Sequence, residues 1–117
     1  MDFKGIEYNC SMELTLDIIG GKWKTIIIWH LGKKTMRFNE LKRSLPSITQ
    51  KMLTQQLRAL EGSELINRII YNQVPPKVEY SLTEHGRSLL PVLMSLCDWA
   101  ITYSNLISCK NEYNKEI

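Results

Sequence analysis

Apolar positions recur at helical spacing in five stretches of the chain and alternate with polar ones in a single stretch, 66–82. Leu14 and Ile18 form an i, i+4 pair that Ser11 can cap and Gly20-Gly21 stops, with Glu13 in the opening turn. A second helix is expected from about Lys22, with Trp23, Ile26, Ile27 and Leu31 on its buried side and Gly32 as its C-cap. Taken alone, Ile26-Ile27-Ile28-Trp29 would also suit a buried strand. After an extended link at 33–38, Asn39 can cap a third helix that carries Leu41 and Leu45 and ends at Pro46. Pro46-Ser47-Ile48 is then a turn. Thr49 caps a fourth helix, about 49–61, with Leu53, Leu57 and Leu60 as its buried stripe.

The alternating stretch reads as a hairpin. Val78, Tyr80 and Leu82 interleave with Glu79 and Ser81, the pattern of a half-buried strand, and Ile66–Tyr71 is its partner. Pro75-Pro76 stiffens the tip at 72–77 and removes two N–H donors. Thr83 can cap a last helix, about 84–108, in which Leu89, Leu93, Leu96, Ala100 and Tyr103 form one stripe and Leu90, Met94, Cys97 and Ile101 a second, with a kink at Pro91. With Trp99 added, that is more apolar surface than a small monomer can cover, so this helix is expected to dimerise. A short helix, a turn, a longer amphipathic helix and a hairpin, in that order, predict a mainly α fold with a small β wing (α+β). The expectation is a single winged helix-turn-helix domain over 1–117.

Charge sharpens this picture. The formal net charge of +3 is modest. Its distribution is not: 22–58 holds nine basic groups against Glu40 alone, a local +8, while 1–21 carries −3 and 59–117 carries −2. A concentrated basic surface attracts a polyanion and releases its counterions. On a helical wheel Lys51, Gln55 and Arg58 point away from the leucine stripe, with Thr54 beside them and Thr49 and Gln50 in the first turn. Gln can pair with adenine, Arg and Lys with guanine, and Thr can touch a thymine methyl. Arg37 and Lys77 complete the candidate DNA-binding set, Lys77 from the hairpin tip. Double-stranded DNA is therefore the expected partner; an acidic protein held by the same face is the alternative.

Other chemistries find little support. Gly21-Lys22 lacks the earlier Gly and the following Ser or Thr of a phosphate loop, and His30 and His85 have no nucleophile or ligand at motif spacing. An enzyme is not expected, nor a metal or other cofactor. The three cysteines, Cys10, Cys97 and Cys109, include no CxxC pair and suit reduced thiols, Cys97 as a packed residue of its apolar stripe. No apolar run approaches the roughly 18 residues of a membrane span. A cytoplasmic protein that uses no membrane is the expectation.

The residues also resemble a known family, the HxlR-type winged-helix bacterial regulators related to the MarR regulators. The resemblance rests on Cys10, Gly20-Gly21-Lys22-Trp23, Arg37-Phe38-Asn39-Glu40-Leu41, Leu53 with Leu57 and Leu60-Glu61, and on 74–84 (VPPKVEYSLTE) followed by Gly86-Arg87-Ser88-Leu89. It implies a homodimeric transcription factor with the fourth helix in the major groove, the hairpin as wing, and the first and last helices at the dimer interface. Glu64 stands where the family pattern usually has Gly before the first wing strand, with Gly62 available to supply flexibility, and Ser11 stands where Pro usually follows the cysteine. For some members the resemblance also implies thiol sensing, which would fall to Cys10. A helix start favours its thiolate, whereas Glu7 and Glu13 oppose it. Neither the operator nor an effector is named by these residues.

Overall fold

A computed structural model describes the backbone over residues 1–115 and the side chains over 1–107, so the side chain of Cys109 lies outside the described residues. The chain opens on a hairpin that its hydrophobic pattern does not announce. Strands β1 (Asp2–Phe3) and β2 (Ile6–Glu7) pair antiparallel around Lys4 and Gly5, both at positive φ (51° and 80°). That pair of angles is the tight turn that follows the right-handed twist of a hairpin.

Helix α1 (Ser11–Ile19) has Cys10, not Ser11, at its N-cap. No side chain caps it; instead Glu13 reaches back and accepts from Asn9 N–H at 3.0 Å. Helix α2 spans Lys24–Lys33. Its register differs from the sequence expectation in two respects. Ile27 and Ile28 are both fully buried, since α2 lies at the centre and is covered on more than one side, and Gly32 is helical rather than terminal, because its missing side chain admits Leu90. A Cβ on Gly32 would sit 2.7 Å from a Leu90 methyl.

The link after α2 contains a strand, β3 (Met36–Arg37), and α3 (Phe38–Ser44) follows at once. Asn39 is therefore inside α3 and does not cap it. Arg37 is the N-cap residue, and its N–H donates to the Glu40 carboxylate at 3.1 Å. That bond, then the Lys34 ammonium 3.3 Å away, holds Glu40 below the usual carboxylate range. After the turn, with Ile48 buried in it, α4 (Gln50–Gly62) is capped by Thr49 as expected, its hydroxyl accepting from Met52 N–H at 3.0 Å. Leu53, Leu57 and Leu60 are its buried residues.

Strands β4 (Ile66–Tyr71) and β5 (Lys77–Leu82) form the wing, and β5 is the centre of a three-stranded antiparallel sheet ordered β3-β5-β4. The last helical region is two helices rather than one kinked helix. Helix α5 (Glu84–Ser88) is capped by Thr83, and α6 (Leu90–Lys115) starts after Leu89. Pro91 falls in the first turn of α6, where a missing N–H leaves no bond unmade, so it begins the helix instead of bending it. α6 packs against α2 and α5 near its start. Its 26 residues run about 39 Å. The Cα radius of gyration is accordingly 18.0 Å, against about 13 Å for a compact domain of this length.

One joint ties α4, the wing and α5 together. At the end of α4, Leu65 N–H donates to Leu60 O and Glu64 N–H to Glu61 O, each at 3.0 Å, the pair of hydrogen bonds that closes a helix when the first residue past its cap is left-handed. That residue is Glu64, at φ 59°. Gly62 does not take the role. Thr83 then donates from its hydroxyl to Glu64 O at 2.6 Å and from its N–H to Leu65 O at 3.1 Å, while the same hydroxyl accepts from Gly86 N–H at 3.1 Å. Gly86 is buried against this turn, and a Cβ there would lie 2.2 Å from Leu65 O.

Two substitutions at this joint should move stability in opposite directions. Glu64→Gly relieves a left-handed side chain and should raise it by about 0.5–1 kcal/mol, the relief being partly offset by a more flexible unfolded chain. Gly86→Ala drives a methyl into a carbonyl and should lower it by about 1–3 kcal/mol. Thermal unfolding of the two variants beside the wild type decides; a shift of the same sign in both would show that the joint is not the constraint described.

Candidate nucleic-acid interface

The outer face of α4 is built by its own amphipathicity. With Leu53, Leu57 and Leu60 pressed into the core, Gln50, Lys51, Gln55 and Arg58 are exposed and Thr54 is half-buried. The Thr54 hydroxyl donates to Gln50 O at 2.9 Å, which leaves its methyl as the group to face a partner, and the Thr49 hydroxyl is engaged as the cap. Among the described residues neither Lys51 nor Arg58 lies in an ion pair; the side-chain pairs are Lys34 with Glu40 and Lys77 with Glu79. A helix standing on a leucine base with unpaired cations and two glutamines outward is equipped for both phosphates and base edges. Arg43 on α3 adds another exposed cation.

The wing differs from its sequence reading in which cation it offers. Lys77 is folded onto its own sheet, 3.2 Å from the Glu79 carboxylate and 4.8 Å from the Tyr71 ring centroid. Arg37 is exposed, on β3 opposite Glu79. Arg68, which the sequence reading passed over, lines a cleft of about 260 Å³ together with Arg58, Thr54 and Glu61 of α4 and with Phe38, Leu57 and Tyr80. Its signal was present in the sequence as a basic residue opposite Tyr80 in the hairpin register, but it could be seen only once that register was fixed.

The residues expected at a dimer interface divide into two groups. Leu93 is 4% exposed and Leu89 half-buried, both packed into the protomer's own core. Leu96, Trp99, Ala100 and Tyr103 are exposed, and Val92, Leu96, Trp99, Tyr103 and Leu106 form a continuous stripe along α6 at i, i+4, i+7, i+11 and i+14. Trp99 is 65% exposed and stacks on Tyr103 with centroids 5.0 Å apart. Met12 and Leu16 present a second exposed apolar pair on α1.

Cys10 and Cys97 are both exposed free thiols. For Cys97 this corrects the expectation of a packed residue: it sits at a shallow apolar cleft with Ile26, Trp29, Leu93 and Leu96 rather than beneath them. His30 is held below its ordinary pKa, first by burial and then by Lys33, which favours the neutral ring of a packing residue. No cluster that could hold a metal occurs among the described residues, and no described helix is long and apolar enough to cross a membrane.

Comparison with known proteins meets this geometry. The family model described as HxlR-like helix-turn-helix matches residues 18–108. The Bacillus subtilis HTH-type transcriptional regulator YtcD is 58% identical over 101 residues, 86% of this chain and 80% of that protein. Among solved structures, the redox regulator HypR in its reduced form is 49% identical with a TM-score of 0.80, covering 85% of this chain and 98% of the other. Its oxidised form is 54% identical with a TM-score of 0.76, covering 80% and 96%. A winged helix-turn-helix with an exposed basic α4, a matching family model over most of its length and a curated relative at 58% identity leads to one assignment: the chain belongs to the HxlR-like helix-turn-helix family of transcriptional regulators.

Proposed function

We propose that this protein regulates transcription as a homodimer that places α4 of each subunit in the major groove of a near-palindromic operator. The observation that carries this reading is the outer face of α4: Lys51, Gln55 and Arg58 stand exposed and unpaired on a capped helix that leads directly into a wing. Two-fold symmetry then requires two α4 helices about one DNA turn apart, ~34–36 Å, and a site with matching half-sites. The exposed stripe of α6, with Met12 and Leu16 of α1, is the surface that a second subunit covers. Retardation of duplex DNA at low salt tests the reading, and a protein that shifts no duplex would leave an acidic protein as the partner of this face.

The same reading assigns the signal to Cys10. Its thiol is exposed beside the start of α1, and HypR, similar over most of this chain, is a redox regulator with reduced and oxidised structures. Oxidation of Cys10 by a peroxide-class oxidant gives a sulfenic acid; attack by the exposed thiol of Cys97 in the second subunit releases water and leaves one S–S bond. Such a bond would change how the two α4 helices are spaced.

Three outcomes are expected. Gln55→Ala should cost about 1–3 kcal/mol at one base position and relax preference there, whereas Lys51→Ala should weaken all sequences alike and flatten the salt dependence; a binding-site selection beside a salt titration separates them. Leu96→Glu or Trp99→Glu should give a folded monomer that binds the operator poorly, because both side chains are exposed in the protomer, and sedimentation showing an unchanged dimer would exclude α6 as the interface. Wild type should lose operator binding after diamide treatment and form a dimer on a non-reducing gel, while Cys10→Ser should do neither. Identical responses of the two proteins would remove Cys10 as the sensor.

A further inference from the structure

The wing carries one cation on the side that faces α4. Directly opposed residues of antiparallel strands share a face, so Arg68 stands with Tyr80, its partner in the register, and with Ile66 and Leu82. Tyr80, Ile66 and Leu82 are buried, which fixes that face as the one turned toward the core and α4. Lys77 stands on the opposite face with Glu79, and Arg37, paired with Glu79 in the register, shares it. The cation best placed by sequence at the wing tip is thus directed away from α4 and already neutralised. Arg68 is in no ion pair among the described residues.

Arg68 and Arg58 open on the same cleft from its two walls, one from β4 and one from α4. Phe38, Leu57 and Tyr80 supply the apolar lining with Thr54 beside them, and Glu61 sets a single carboxylate against two guanidinium groups. The cleft therefore retains a net positive charge. Its volume of about 260 Å³ is below the ~300–1,000 Å³ of drug-sized ligand pockets. It suits one phosphate with part of its sugar. Two guanidinium forks are the side chains whose donor geometry matches phosphate oxygens bidentately.

We infer that Arg58 and Arg68 grip one backbone phosphate of bound DNA between α4 and the wing, so that Arg68 rather than Lys77 sets the wing's position on the duplex. This rests on the DNA-binding reading above. A phosphate carries no base identity, so the grip fixes register and orientation and leaves sequence choice to Gln50, Thr54 and Gln55.

The test is affinity for a random-sequence duplex, measured across a salt series for wild type, Arg68→Ala, Arg68→Lys and, as a control that removes one positive charge from the N-terminal hairpin, Lys4→Ala. Arg68→Ala should weaken binding roughly tenfold, as expected for loss of charge-assisted hydrogen bonds. It should reduce the magnitude of the salt slope by less than the ~0.9 of one whole phosphate, because Arg58 still pairs with the same phosphate. Arg68→Lys should keep the slope and recover only part of the affinity, since it restores the charge without the fork. Arg68→Ala that behaves like Lys4→Ala would overturn the inference. If the alanine variant unfolds, Arg68→Lys decides: full wild-type affinity sinks the grip and partial affinity supports it. A wild type that binds no duplex at low salt would instead remove the DNA reading itself, a failure distinct from that of the grip.

Discussion

A single threonine fixes how the three working parts of this protein sit relative to one another. Thr83 donates to the carbonyls of Glu64 and Leu65, where α4 turns into the wing, and accepts from Gly86 in α5. All three bonds are directional, and together they fix one side chain and its backbone against two separate turns of the chain. The consequence is geometric. The end of α4, the wing and α5 therefore meet at one hydrogen-bonded joint and not through an open linker. The left-handed Glu64 and the buried Gly86 are the local costs of bringing these backbones so close.

The parts of this architecture with one wet and one dry side were legible in the sequence. In α4 and in the wing a single periodicity separates core from solvent, so Leu53, Leu57 and Leu60 and then Tyr80 and Leu82 could be named without coordinates. Buried on several sides, α2 offers no such contrast, which is why Ile27 and Ile28 are adjacent in sequence and equally buried. The break between α5 and α6 was hidden for another reason. Pro91 reads equally well as a kink inside one long helix or as a first-turn residue of a new one, and the local pattern does not choose between them. The N-terminal hairpin was missed because strands of two residues have no period to detect.

The candidate interface was legible to the same extent and for the same reason. Residues on α4 project from a helix whose orientation the leucines fix, and Lys51, Gln55 and Arg58 emerge exposed as expected. Wing residues need the strand register as well. A shift of one position exchanges the two faces, and with them Lys77 for Arg68 as the cation beside α4. At the far end of the molecule the leucine stripe of the last helix is divided by depth: Leu93 belongs to the core while Leu96 and Trp99 lie open.

On the proposed homodimer, that open stripe ties the protein to its own abundance. The five large apolar side chains of that stripe are exposed to water in the isolated protomer, so anything that covers them stabilises the fold by mass action. When the cover is a second copy, the population of the DNA-binding form rises with the square of the protomer concentration at low occupancy, and a modest change in synthesis becomes a sharper change in operator occupancy. A regulator built this way responds to how much of it the cell makes as well as to any chemical signal it receives.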